Sequence, residues 1–533
     1  MVPVIRNISS LVVVAGISLG AGVCLAQPTA PASNHDAKPA SGASAGAANA
    51  QPSPLGKGEA IFMLDYEVIP VPGNASIDLM GFHVLNKMND WLYLGVGGYA
   101  PLFRGEYGGF MAFDVTAHVQ RKLFGNVFAN AGVSLGGGGG GKSEEQSKVL
   151  SGTGGFVKSY VGLGYDFKDF SLGANIAKMK FTKSAIDHSQ LNLFVQVPFS
   201  YDIGPYSGSG QTLFRADKVD SRGSLEDASE NIMSLGLDNY KQIDPEGSNK
   251  ETINLADLQF SHFMTKNSYW YINVAVGYRG LPLYNAILGG VGYRLRVSPN
   301  INLYGQLAVG SGGYAPDTID TGPGLLVHPK VSAEYMFDKN FGLSLSAGYL
   351  AAPKGSSKNY TVGAALNYHL HAGEGGYGAN GAGAKSFLRG YRVNLFQQTE
   401  FNLKFKGIER SNVNLLTLQV DNIVNDHFYV PVQVGVAYND YLGYPGYGEL
   451  LAGVGVQNKY TEGNRFQFFG QLLVGTNVHG PVLKTGVGMN VGLSDRLALY
   501  GVAGQTLGPA KDKKFRSDYL GLGLSYRFSV PGG

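Results

Sequence analysis

The chain has a single cysteine, Cys24, and only two tryptophans among 533 residues. Charge is scarce as well: Asp, Glu, Lys and Arg make up 15%, where an ordinary soluble domain carries about 25%. The mean hydropathy of −0.03 is far below that of a bundle of membrane helices, each needing ~20 consecutive apolar residues. A net charge of +3 gives no reason to expect nucleic acid as a partner. What the chain does have is 78 glycines, 31 tyrosines and 28 phenylalanines.

The N-terminus reads as a secretory signal over residues 1–26. Arg6 supplies the positive end, Leu11 to Leu19 the apolar core, and Ala26 the small residue before cleavage. Acylation at Cys24 would need a small residue before it, and Val23 is a poor fit. Cleavage after Ala26 would remove the only cysteine, leaving no disulfide, thiolate nucleophile or cysteine metal site. Residues 27–56, rich in Ala, Pro, Ser and Gly, read as a disordered tether.

From Glu59 onward the pattern has period two. Leu520, Leu522, Leu524, Tyr526 and Phe528 alternate with Tyr519, Gly521, Gly523, Ser525 and Arg527. Val161, Leu163 and Tyr165 alternate in the same way with Gly162, Gly164 and Asp166, and Val362, Ala364 and Leu366 with Gly363, Ala365 and Asn367. One greasy face and one glycine or polar face predict antiparallel strands between lipid and a lumen.

An internal repeat divides the pattern. Segments starting at Leu79, Leu258 and Leu418 align without a gap, placing His83 on His262, Lys87 on Lys266, Trp91 on Trp270, and Tyr99 on Tyr278 and Tyr438. The apolar face of 91–99 is then one residue out of phase, which a β-bulge would explain. The units are barrel repeats at 57–201, 230–370 and 389–533, joined by a connector at 202–229 and a Gly-rich connector at 371–388. Both connectors could be linkers or could fold back as a partial plug. Ser224 and Asp227 have the spacing of a helix cap.

Each unit holds about eight strands. Those of the third are expected near 391–403, 415–424, 428–438, 449–458, 465–475, 483–493, 497–506 and 518–528. Tight turns at Lys168-Asp169, Asp338-Lys339-Asn340 and Ser494-Asp495-Arg496 follow even strands, while loops such as 136–155 and 508–517 follow odd ones. Short turns on the periplasmic side and longer loops outside are the pattern of a membrane barrel.

The last strand, Gly523-Leu524-Ser525-Tyr526-Arg527-Phe528, resembles the terminal β-signal of bacterial outer-membrane β-barrel proteins. The resemblance implies an outer-membrane location in a Gram-negative cell, contact with outer-membrane lipid and lipopolysaccharide, and insertion by the barrel assembly machinery. The chain departs from that pattern by continuing through Ser529 to Gly533. The expected fold is all-β: one transmembrane antiparallel barrel of about 24 strands, or alternatively three eight-stranded barrels in tandem. Glycines on the lumen face favour the single wide barrel, because they would leave a small barrel underfilled.

No catalytic, cofactor-binding or metal-binding residue is assigned. Gly136 to Ser143, GGGGGGKS, matches a phosphate-binding loop literally, but Glu144 to Gly155 read as a flexible loop in an exported protein. Asp187-His188-Ser189 loosely resembles the acidic, His and Ser trio of lipid A deacylases, which place the Ser two residues beyond the His; here they are adjacent. His83 and His262 meet Asn422 in the third unit, so they form no complete ligand set. Lys511, Lys513, Lys514 and Arg516 form a basic outer run facing solvent or lipopolysaccharide headgroups. The leading expectation is a non-enzymatic pore or exporter, passing polysaccharide delivered by periplasmic export components. The alternatives are a barrel enzyme acting on lipid A or outer-membrane lipid, and a structural anchor or adhesin.

Overall fold

The computed structural model describes residues 55–141, 143–214, 231–246, 249–282, 284–313, 319–338, 341–370, 385–460, 464–508 and 514–532. The signal segment, nearly all of the tether, Ser224 and Asp227, most of both connectors, Lys142, Lys511 and Lys513 lie outside them.

The first set of strands is β1 (Gly56–Ile69), β2 (Ile77–Lys87), β3 (Leu92–Ala100), β4 (Met111–Phe124), β5 (Val127–Gly139), β6 (Gly155–Asp166), β7 (Ser171–Phe181) and β8 (Ser189–Ile203). A short strand, β9 (Thr212–Phe214), comes next. The second set is β10 (Asn231–Gln242), β11 (Ile253–Phe263), β12 (Ser268–Arg279), β13 (Asn285–Ser298), β14 (Ile301–Gly313), β15 (Leu325–Met336), β16 (Phe341–Ala351) and β17 (Lys358–Leu370). The third opens with β18 (Lys385–Phe405), the two-residue β19 (Ile408–Glu409), β20 (Val413–Ile423) and β21 (Phe428–Ala437). It ends with β22 (Gly448–Gln457), β23 (Phe466–Asn477), β24 (Gly480–Gly492), β25 (Leu497–Gly508) and β26 (Phe515–Gly532).

Each set closes on itself. β1 pairs with β8, β10 with β17 and β18 with β26, all antiparallel. The all-β antiparallel architecture is as expected, and the strands of the third unit fall within a few residues of the expected bounds. The single barrel of about 24 strands is not formed: the described residues make three closed eight-stranded barrels in tandem.

The lumen glycines explain why the wide barrel was the wrong expectation. Several of them leave no gap, because aromatic rings from neighbouring strands lie over them. A Cβ at Gly164 would collide with the ring of Phe128, at Gly292 with Tyr269, at Gly455 with Tyr429, and at Gly488 with Phe469. Glycine is needed there because the cross-strand ring occupies the space a Cβ would take. Eight strands enclose an interior that side chains can fill, and these rings occupy part of it.

The repeat register also needs correcting. Equivalent turn bonds run from Met88 N to Leu92 O, Met264 N to Ser268 O, and Val424 N to Phe428 O. They confirm the alignment of the second unit with the third but move the first by three residues. Leu79, Leu255 and Leu415 then coincide, all buried, and Trp91 aligns with Asn267 and His427 rather than Trp270. An odd offset flips the facing of every residue, which produced the phase conflict at 91–99. The β2–β3 ladder runs without a register shift, so no bulge is involved there.

The barrels pack head to tail. Past β3, the Gly108 N–H donates to Gly322 O (3.0 Å) and Ser311 Oγ on β14 donates to Pro101 O (2.6 Å). At the next seam Thr476 Oγ1 on β23 donates to Gly277 O on β12 (3.2 Å). At the last, Gly137 on β5 lies against the Ala437 carbonyl at the end of β21. Each barrel thus offers its third strand and following loop to the fifth strand of the next, and the ring closes. A heterologous contact whose rotation closes makes a cyclic assembly; here one chain supplies all three members. Barrels 1 and 3 also share an apolar seam at their turn ends, of Ala60, Phe199, Tyr391, Val393 and Phe528.

Candidate functional site

Strand alternation sends every second residue inward, and these inward side chains form three polar cores. The sixth strand of each barrel carries one lysine among them: Lys158 on β6, Lys330 on β15 and Lys484 on β24. Lys158 Nζ lies 2.6 Å from Asp65 Oδ2 and 2.9 Å from Glu67 Oε1. Beside it His83 bridges Asp65 (3.4 Å) and Asp114 (3.2 Å), and Gln190 donates to Glu67 (2.7 Å). Lys484 Nζ lies 2.5 Å from Glu449 and 3.2 Å from Glu400. Gln398 and Gln433 also donate to Glu449 (3.1 and 2.9 Å), and the Ser517 hydroxyl meets Glu400.

The mouth of barrel 3 at its turn end is different. Arg392 Nε bonds Asp421 (3.0 Å) and its guanidinium lies over the Tyr429 ring at 4.5 Å. Arg527 Nη2 donates to Ser494 O (2.5 Å) and lies over Tyr460 at 4.5 Å. The chain leaving barrel 1 crosses this mouth. Gly204 and Ser529 exchange backbone bonds, Asp495 accepts from the Tyr206 and Ser207 N–H groups (2.7 and 3.0 Å), and β9 adds to the edge of β18. Tyr206, 3% exposed, joins the barrel's interior cluster with Phe396, Tyr429 and Phe469. The first part of the connector is therefore a plug. Ser529 to Gly532, the departure from the β-signal pattern, continue β26 along β18, and Ser529 makes its contact with the connector.

Barrel 2 differs again. Its lumen contains a cavity of about 40 Å³, lined among others by Asp238, Asp257, Lys330 and Ser261. At roughly 10–15 Å³ per accommodated water, that is space for a few waters and not a passage.

The structure separates the residues that sequence had grouped. His83 faces inward, whereas His262 lies on the opposite phase from Ser261, packs against Trp270 with ring centroids 5.5 Å apart and planes tilted by 44°, and bonds Asn231 (2.7 Å). Among the described residues no His, Asp, Glu cluster suits a metal. The Asp187 carboxylate is held by Lys178 (2.6 Å) and Lys180 (2.9 Å). Those hydrogen bonds pull its pKa down to about 2. No hydrogen bond links Asp187, His188 and Ser189 among the described residues. In the glycine run, Gly136 to Gly139 belong to β5 and pair with β4, so their backbone groups serve the sheet rather than a phosphate. The segment expected as a loop contains a helix, Glu144–Ser151, capped by Ser143 Oγ accepting from Gln146 N. Its lysine, Lys148, lies 4.3 Å over the Tyr444 ring of barrel 3.

No family model matches the chain, and no curated protein matches it by sequence. Solved structures do. A designed transmembrane β-barrel matches at 13% identity over 26% of this chain and 95% of that one, with a TM-score of 0.19. The siderophore receptor PirA from Pseudomonas aeruginosa matches at 9% identity over 88% and 80%, with a TM-score of 0.26. A bacterial polysaccharide outer membrane secretin matches at 7% over 88% and 98%, with a TM-score of 0.22. The likeness is to outer-membrane β-barrels as a general class. Matches this remote bring no substrate or partner with them.

The three lumen lysines and the plugging Tyr206 were missed by the sequence reading. A lysine at the glycine phase of an alternating strand was the available signal: Val157, Ser159 and Val161 point out, so Lys158 points in.

Proposed function

We propose that the protein resides in the outer membrane as a rigid, non-conducting platform of three barrels, without enzymatic activity, whose interlocked outer loops are its working face. The observation that carries this reading is an outside-in distribution of polarity. Outward positions such as Val161, Leu163, Val331, Leu345, Leu522 and Leu524 are exposed and apolar, while charges are sealed inside. An apolar surface of that extent is unsustainable in water and natural in lipid. Paired rings at the short turns, Phe167 on Phe170 at 5.1 Å and Phe337 on Phe341 at 6.4 Å, suit the aromatic girdle at a bilayer boundary.

Filled lumens favour the anchor over the pore or exporter, because polysaccharide needs a passage wider than a few waters. Insertion by the barrel assembly machinery and contact with lipopolysaccharide remain part of the proposal, on the strength of the terminal strand and of Lys178 and Lys180 at the outer end of β7. The test is planar-bilayer recording of the full-length protein. The platform predicts membrane association with no conductance steps; reproducible steps, altered by added glycans, would establish transport instead.

A further inference from the structure

We propose that the outer end of β7 docks one lipopolysaccharide molecule, whose lipid A phosphate is held by Lys178 and Lys180. The site deepens the platform reading and rests on it, since it takes this face of barrel 1 to meet the outer leaflet. The ladder around β7 sets the level. Ile176 stands opposite Val161 on β6 and Leu191 on β8, and all three are exposed and apolar. Two residues further out on the same outward face, Lys178 stands opposite Ser159 and Ser189, both exposed. The face thus changes from apolar to polar and cationic within one step of the strand alternation. A lysine on the lipid side is costly at the bilayer midplane and tolerated near the headgroups. This row therefore marks the headgroup level.

The two lysines are held side by side there. Lys178 Nζ lies 2.6 Å from Asp187 Oδ1, and Lys180 Nζ lies 2.9 Å from Asp187 Oδ2. One carboxylate thus positions two ammonium groups, whose side chains stay 48% and 55% exposed. Each ammonium carries three donors and gives one of them to Asp187. Lys183, exposed in the loop that follows, adds a third positive charge against the single aspartate.

The equivalent positions set barrel 1 apart. Turn bonds from Phe167 N to Phe170 O, Phe337 N to Phe341 O, and Leu493 N to Leu497 O align the three seventh strands. Lys178 and Lys180 then fall on Tyr349 and Ala351 in barrel 2, and on Gln505 and Leu507 in barrel 3. Gln505 donates to Asp518 (2.8 Å), so barrel 3 presents an acid at this level. Of the three strands, only β7 presents paired cations there. An anion that fits paired ammonium groups directly above an apolar row is one carried by an amphiphile. Lipid A has that form: its acyl chains would lie along Ile176, Val161 and Leu191, and its phosphate would accept charge-assisted hydrogen bonds from the lysines.

Titration of the full-length protein in non-ionic micelles, read by native mass spectrometry, tests this. The probes are bisphosphorylated lipid A, the same lipid stripped of phosphate, phosphatidylglycerol and inorganic phosphate. Bisphosphorylated lipid A should bind saturably and at least tenfold more tightly than the other three. Lys178→Gln combined with Lys180→Gln should weaken it by about tenfold or more. Asp187→Asn should tighten it severalfold, because the carboxylate competes with the phosphate for the same ammonium groups. All three side chains are exposed, and unchanged heat-modifiable gel mobility of the variants checks that they fold. Equal binding of the stripped lipid would mean that acyl chains alone dock, and would overturn the proposal. Equal binding of phosphatidylglycerol or inorganic phosphate would overturn it too, by showing a site for any anion. So would lipid A binding that these substitutions leave unchanged, or no saturable binding at all. Membrane association and bilayer conductance are separate readouts, so failure here leaves the platform reading untouched.

Discussion

At the scale of residues, the lumen lysines are the clearest case of a charge whose role depends on its contacts. Removing one member of a buried ion pair strands the other without compensation, at a cost of ~3–5 kcal/mol. Lys158→Met and Lys484→Met should each destabilise their barrel by about that amount, because each leaves two buried carboxylates. Lys330→Met, which breaks no direct pair, should cost less than either of them. Urea unfolding followed by gel mobility measures all three, and equal losses in the three variants would refute the distinction. The lysines were legible in part. Their phase within the strand can be read from the apolar residues next to them, Val157, Val331 and Leu483, but their partners come from strands that are distant in sequence.

Between the residue and the barrel lies the connector. Its start, through Tyr206, closes barrel 3 with a side chain that belongs to neither neighbouring barrel. Truncating a buried aromatic side chain to alanine costs about 3–5 kcal/mol. Tyr206→Ala should therefore lower the stability of barrel 3 by up to that amount and admit water to Arg527, while Tyr206→Phe keeps the ring and stays near wild type. Hydrogen exchange at β18 and β26 is the measurement; protection that is equal in the alanine variant and the wild type would show that Tyr206 is no plug. Nothing local in sequence marks this role, since a Pro-Tyr-Ser-Gly segment reads as a loop. The helix Glu144–Ser151 was more accessible: Ser143 followed by Gln146 is the spacing of a capping box. The glycine run ahead of it masked the signal.

For the whole molecule, the question is how three closed barrels become one object. The seams use close backbone approach: Ser311 and Thr476 reach a neighbour's carbonyl with a hydroxyl, and Gly137 does so by having no side chain. Gly137→Leu should wedge open the contact between barrels 3 and 1 while leaving every strand intact. Proteolysis within 438–447 should then accelerate with an unchanged far-UV spectrum. Cleavage at the wild-type rate would mean that the seam tolerates a side chain there and is not tightly packed. The same contacts account for GGGGGGKS, whose first glycines line both a sheet and a seam.

Period-two alternation, tight turns after even strands and the unit length are local properties, so sequence by itself determined the strands, their phase and the threefold repetition. Closure was another matter. Whether the eighth strand of a unit bonds to its own first strand or to the next unit depends on pairing across more than a hundred residues, and alternation reads the same in both cases. Only the tertiary structure shows which rings lie over the lumen glycines, which carboxylates meet each lysine and which barrel the connector seals, because each is a contact between segments with no common local signal.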